Sequence, residues 1–453
     1  MVVGRQKTKK TKICDHGKED LISQLPEPLI SEILCRLSTK DAVRTSLLST
    51  SWRNLWRWVP DLDLNSDAFP NFDASVSFVE RFLVSHRDRE LWIRRLRLSF
   101  GYRHHRHICD ITSWIDAVTT CRIQHLDFRC CSYHFHYIQI PLSLYTCQTL
   151  IHLRLSGVSL CNAEFVSLPC LKFMHLVCNK YPNETTLQKL ISGSPILEDL
   201  TIYRTSNDDD KATVLQVRSH TLKRVYIDDF TQVVIDAPLL QCLKTSLSSP
   251  KNYQIVNLGS SAKLDIGLLY FGRARYSSSM FHDIITDISR VRELVVGNAM
   301  WEGIFHYSKS EPVLLQFRHL SRLNVKFIKS GIELLPFFLE SCPKLESLVM
   351  ELVKDLSMRG KEKEPKVMFS TVPRCLVSSL KFVKWKRSIS VYEGETELVR
   401  YFLKNSQMLE KLRLDIYYTE KAKCAFLQEL LTMPRCSSVC EIHCSLIPED
   451  NYR

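Results

Sequence analysis

Two stretches of the sequence carry side chains of the kind that hold transition metals: His104, His105, His107 and Cys109, then Cys130, Cys131, His134 and His136. Imidazole and thiolate are the usual zinc ligands, and a structural site brings four of them onto one tetrahedron. Neither stretch has paired Cys-x-x-Cys spacing. In the first, Arg103 and Arg106 stand among the candidate ligands and oppose a cation. In the second, strand alternation divides neighbouring ligands between opposite faces. The group Cys436, Cys440, His443 and Cys444 has the same defect, because a strand starting at Val439 sends His443 away from Cys440 and Cys444. No metal and no cofactor is expected. No Ser/His/Asp order, reactive-cysteine context, carboxylate pair or glycine-rich phosphate loop occurs in a recognisable setting, so the chain reads as non-catalytic.

The chain that must position any such groups has 453 residues, enough for about three units or one long array at roughly 150 residues per domain. Hydrophobic residues make up 45% and charged residues 24%, so most of the chain can bury a core. Only 13 glycines occur, which lowers the prior for glycine-dependent hairpins. The 17 cysteines are odd in number and mostly set in apolar runs, as expected of buried thiols in a reducing compartment. The net charge of +12 favours acidic partners without identifying them. Residues 1–19 read as a disordered leader with Arg5, Lys7, Lys9, Lys10 and Lys12, either solvated or a nuclear import signal. It has no apolar core, and no uninterrupted apolar run of about 18 residues follows, so nucleus or cytoplasm is expected and a membrane is not.

Helical text begins at Leu25-Pro26, with proline near a first helical position. Leu29, Ile30, Ile33, Leu34 and Leu37 form an apolar stripe with Glu27, Ser31, Glu32 and Arg36 opposite. Ser38 or Thr39 caps a second short helix, and Ser49 to Ser51 cap a third from Trp52. Three short helices over residues 20–60 make a unit with little core of its own, which needs a partner surface. The run Leu25-Pro26, Leu29-Ile30, Ile33-Leu34, Leu37, Asp41, Arg44, Leu48-Ser49, Trp52-Arg53 and Leu55-Trp56 resembles an F-box. The resemblance implies docking on a Skp-family adaptor and, through it, a cullin. Leu25, Pro26, Leu29, Ile33 and Leu34 would make the first contact strip, and Leu48, Trp52 and Trp56 would extend it or wedge the helices.

Beyond Pro60 an apolar triplet recurs at positions one, four and six, from Ile93/Leu96/Leu98 through Leu153/Leu155 and Leu348/Met350 to Leu409/Leu412/Leu414. A degenerate copy is expected around Leu264 and Ile266. This is an irregular leucine-rich repeat over residues 90–355, one short parallel strand per repeat in a solenoid of α/β class. Leu190-Ile191 before Leu197-Glu198, Phe338-Leu339 before Leu345-Glu346, and Phe402-Leu403 before Leu409-Glu410 share one layout, with turns at Ser194, Cys342 and Ser406. Asn207 to Lys211 and Arg359 to Lys366 read as solvated insertions. Residues 370–446, with Val372-Pro373-Arg374-Cys375-Leu376, Gly394, Phe402-Leu403-Lys404-Asn405 and Met433-Pro434-Arg435, resemble the FBD module of plant F-box/leucine-rich-repeat proteins, here as a C-terminal cap.

The family resemblance implies a substrate-recognition subunit of a cullin-type ubiquitin ligase. Two other readings use the same scaffold: a receptor for a small ligand or inositol phosphate, and a nucleic-acid binder, the latter lacking aromatic-basic interleaving. Residues flanking the inner triplet positions should line the strand face: Arg95, Arg97, Arg129, Arg154, Arg224, Lys244, Arg322, Lys326, Lys384, Lys386, Lys411 and Arg413, against Asp127, Asp199, Asp228, Glu293, Glu351 and Asp415. This predicts an electropositive face for an acidic or phosphorylated target, with Arg95, Arg97 and Arg154 at one end and Lys384, Lys386 and Arg413 at the other.

Overall fold

The computed structural model describes residues 25–48, 50, 52–87, 92–101, 108–120, 122–130, 137–204, 214–228, 230, 232–247, 253–259, 262–268, 282–310, 316–353, 372–389, 393–416 and 420–446. The chain forms two compact units, Met1–Leu98 and Ser99–Arg453.

In the first unit, Pro26 precedes the helix Glu27–Leu34. Ser38 caps the helix Thr39–Arg44, its hydroxyl accepting from the Asp41 N–H at 3.2 Å. The third helix expected from Trp52 is instead a turn leading into one 3-10 helix, Leu55–Trp58. Trp52 and Leu55 both face inward, and a spacing of three suits the tighter helix, which stacks i over i+3. Ile30, Leu34, Ala42, Trp52, Leu55 and Val59 form the core of this unit, with Leu25, Cys35 and Trp56 packed against it. The strand Asp61–Asn65 and the helix Phe72–Arg87 follow. Trp56 stacks on Phe78 and Phe82 of that helix, with ring centroids 5.5 and 6.4 Å apart. Buried His86 places its two ring nitrogens 3.0 Å from the Phe82 carbonyl and 3.2 Å from that of Val59.

In the second unit the triplets become strands of one parallel sheet, running in chain order from His125–Cys130 and His152–Ser156 to Lys411–Ile416 and Glu441–Leu446. Registration is triplet on triplet: Leu153 pairs with Leu126 and Met174, and Leu348 with Leu323 and Val383. The degenerate repeat is the strand Lys263–Leu268, with Leu264 and Ile266 buried. Each apolar position is covered by its neighbours in adjacent repeats, so a single repeat could not bury it alone.

Side-chain hydroxyls add a second ladder. Thr149 donates to the Ile123 carbonyl, Thr221 to that of Leu197 and Ser379 to that of Leu345, each at 2.9 Å. All three residues stand immediately before the first apolar residue of a triplet. A smaller parallel sheet, Val214–Arg218, Gln232–Ala237 and Tyr253–Leu258, accompanies the main one. At one end of the main sheet the strand Glu441–Leu446 has a partner on one side only among the described residues. Its inward position Cys444 is exposed, whereas the equivalent Leu414 is fully buried.

Candidate functional site

The helix Glu27–Leu34 carries two apolar stripes where the sequence reading saw one. Ile30 and Leu34 face the core, while Leu29 is 53% and Ile33 39% exposed. Leu29, Ile33 and Leu37 follow at intervals of four residues and continue the outer stripe beyond the helix end. Of the contact residues proposed from sequence, Pro26, Leu29, Ile33 and Leu48 are exposed and Leu25 is half-buried. Leu34 is corrected to a core residue, fully buried, because its wheel position lies toward Leu55 and Ala42 rather than solvent. Trp52 is likewise buried, and half-buried Trp56 wedges against Phe78 and Phe82. The contact residues named from sequence omit Leu37, which that reading placed in the apolar stripe, as well as Leu47 and Trp58; all three are exposed, Leu47 at 86%. The interval of four from Leu29 was the available signal for Leu37.

On the strand face, register sets the charged residues side by side. Arg129 and Arg154 approach Asp127 at 2.7 and 3.9 Å, and Arg224 approaches Asp199 at 2.7 Å. Lys263 and Arg322 share Glu293 at 2.7 and 3.7 Å, Lys244 reaches Asp265 at 3.9 Å, and Lys326 reaches Glu351 at 3.8 Å. Arg97 approaches Asp63 at 3.3 Å and Lys384 approaches Asp415 at 3.4 Å. The face expected to be electropositive is therefore a ladder of opposed charges. The expectation fails because acids outside the counted positions, Asp63 and Asp265, neutralise bases inside them. Among the six residues singled out as target contacts, Arg95, Lys386 and Arg413 have no ion-pair partner among the described residues.

The same face carries a cluster of imidazoles. His152 lies between His125, Phe173 and His175, with ring centroids at 6.1, 5.9 and 5.3 Å. Burial, with further opposition from His175 and His125, pushes the His152 imidazole down to about 4; burial also lowers His175. Both rings are neutral at pH 7 and present one donor and one acceptor each. No group of three or more His, Cys, Asp or Glu among the described residues is arranged to hold a metal ion. His104, His105, His107, Cys131, His134 and His136, the basic leader and both charged insertions lie outside the described residues. The described cysteines are free thiols, and burial raises Cys375 to about 12. No helix among the described residues is long and apolar enough to cross a membrane.

Comparison with known proteins matches this geometry part by part. The F-box domain family covers residues 22–63, the leucine-rich repeats described for FBD-associated F-box protein At5g56370 cover residues 111–271, and the FBD family covers residues 369–414. F-box/FBD/LRR-repeat protein At1g51370 of Arabidopsis thaliana is 60% identical over 438 residues, covering 96% of this chain and 98% of its own length. The chain belongs to the F-box/FBD/leucine-rich-repeat family. A further Arabidopsis thaliana member, F-box/FBD/LRR-repeat protein At5g53840, is 47% identical over 96% of this chain and 98% of its own. F-box and leucine-rich-repeat domains together are the parts of substrate-recognition adaptors of SCF ubiquitin ligases in general, which are non-catalytic, and F-box domains typically bind Skp1-like adaptors. In this family member the F-box segment holds the exposed strip, and the FBD supplies the strands Phe382–Ile389 and Lys411–Ile416, which extend the parallel sheet and carry the Lys384–Asp415 pair of the ion-pair ladder.

Proposed function

We propose that this chain is the target-recognition subunit of an SCF-type ubiquitin ligase. Its F-box docks on a Skp1-like adaptor, which joins it to a cullin, and its repeat array holds a target protein for ubiquitination. The observation that carries the reading is the outer stripe Leu29, Ile33 and Leu37, exposed on a helix whose other side is packed. Large apolar side chains left exposed in a row mark a surface that a partner covers. Leu47, Leu48 and Trp58 add to the apolar surface of the same unit. The chain itself does no chemistry in this reading. It raises the effective concentration of target lysines near the charged ubiquitin-conjugating enzyme. The free thiols fit a nuclear or cytoplasmic setting.

Co-purification of the full chain with a Skp1-like adaptor tests it. A carboxylate introduced at Leu29 or Ile33 is desolvated without a partner on docking, at a cost of several kcal/mol. Leu29→Asp and Ile33→Asp should each lose the adaptor while keeping the wild-type melting transition. Adaptor recovery at the wild-type level by both folded variants would show that the strip is not the contact.

A further inference from the structure

A cleft of about 450 Å³ opens in the second unit between the strand Tyr253–Leu258 and the turns that lead into two strands of the main sheet. Its basic side chains are Arg290, Arg292 and His319. Arg290 and Arg292 flank buried Val291 in the turn that leads into the strand Glu293–Val296, and both are exposed and line the cleft. The register that pairs Glu293 with Arg322, carried back three residues, sets Arg290 beside His319. Both occupy the repeat position immediately before the first apolar residue, where Thr149, Thr221 and Ser379 instead bond the preceding repeat. Two neighbouring repeats thus place exposed basic side chains side by side at the cleft.

The opposite wall is built for an extended chain. Among the described residues Tyr253–Leu258 is an edge strand of the smaller sheet, paired only with Gln232–Ala237. That pairing slips between Ile235 and Asp236, leaving Val256 as the extra residue of a bulge, more than half exposed at the cleft. Bulges interrupt ladder hydrogen bonding and turn a strand toward a site. The single acid in the lining, Asp287, accepts the Ile255 N–H at 3.0 Å and so is engaged in holding the wall. Among the described residues Arg290 and Arg292 have no ion-pair partner, unlike most bases of the strand face.

We propose that this cleft binds an extended acidic peptide segment of the target protein. The backbone and Val256 of the edge strand face its main chain and apolar side chains, and Arg290, Arg292 and His319 face its carboxylates. The assignment rests on the reading of the chain as a target-recognition subunit, but its test does not pass through the adaptor.

Fluorescence anisotropy of the full-length protein, at moderate salt so that long-range attraction is screened, would use a labelled peptide alternating glutamate with valine. Its glutamine counterpart, a phosphoserine counterpart and a single-stranded RNA of equal length serve as probes of other chemistries. The glutamate peptide should bind, the glutamine peptide should bind at least about tenfold more weakly, and Arg290→Glu with Arg292→Glu should lose about tenfold per arginine. Val256→Asp, which leaves both arginines in place, should also weaken binding by like-charge repulsion. Reversal of Lys384, Lys386 and Arg413 on the strand face should change nothing. Stronger binding by the phosphoserine peptide, lost in the same arginine variant, would keep the site and identify the anion as phosphate. Binding of the RNA alone, equal binding by wild type and arginine variant, or loss only in the strand-face variant would overturn the proposal. Leu29→Asp separates the two readings: peptide binding should survive when adaptor binding is lost.

Discussion

Leu29 and Leu155 are the same residue type in elements of equal regularity, yet the first is 53% exposed and the second fully buried. The difference lies in how many partners each element has. A repeat strand is covered by its neighbours, so every inward leucine in the array is satisfied within the chain. The helix Glu27–Leu34 spreads its apolar residues over roughly 140° of its circumference at 100° per residue, more than one packing surface covers. Ile30 and Leu34 fill the inner part of that arc, and the outer part has no partner among the described residues. Exposure of a well-ordered apolar row is thus a statement about assembly, and burial of the same residue type is a statement about stability.

Substitution should separate these two meanings most strongly on one helix. Leu34→Asp buries an unpaired carboxylate and should destabilise the first unit by about 4 kcal/mol, enough to abolish its cooperative melting transition. Leu29→Asp, five residues earlier, should leave stability within about 0.5 kcal/mol. Equal melting temperatures for the two variants would erase the distinction. In the repeats, Leu155→Ala should cost about 2 to 5 kcal/mol in chemical denaturation, with the upper end expected where stacked neighbours cannot collapse into the cavity.

A gentler probe is the hydroxyl ladder. Thr221→Val keeps shape while removing the bond to the Leu197 carbonyl, and should cost about 1 kcal/mol by the same measurement. No change would show that solvent replaces the bond fully.

How far this was legible in the sequence depends on range. The triplets were legible because each strand's inward positions, such as Leu153 and Leu155, repeat in type and spacing. The smaller sheet was not: Leu215 and Val217 alternate as Val233 and Ile235 do, but a template of one strand per repeat has no place for a second strand beside each. The F-box positions were legible as a set, and their division into inner and outer was not, since apolar type alone does not tell which neighbour arrives. The strand-face charges failed for a similar reason. A residue's sign is local, whereas its neutralisation by Asp63 or Asp265 depends on register between segments more than twenty residues apart. The cleft was invisible because Arg290 and His319 become neighbours only through that register.

A smaller effect is expected with pH. His152 is held at about 4 against its ordinary 6.5, first by burial and then by His175 and His125. The unfolded chain takes up a proton below pH 6.5 that the native ring resists, so the stability contributed is full above 6.5 and is lost as pH falls toward about 4. Urea midpoints measured across that interval should fall less steeply in His152→Gln than in wild type; identical slopes would remove the imidazole cluster from the account. The smallest expected effect is none: a reductant with a strong chelator should leave the melting temperature unchanged, and a drop of many degrees would reinstate a structural metal or disulfide.

Among the described residues the strand Glu441–Leu446 has one strand neighbour, Lys411–Ile416, where interior strands have two. In a chain of units coupled only to their nearest neighbours, an end unit lacks half the coupling of an interior one and opens first. With Cys444 exposed where Leu414 is sealed, amide protons there should exchange faster than those of Lys411–Ile416, and protection should rise repeat by repeat toward the interior. Fraying of this kind makes the C-terminal repeats a reversible zipper whose closure any ligand lying along the final strands would tighten, so ligand-dependent slowing of exchange at residues 441–446 would report occupancy from a distance.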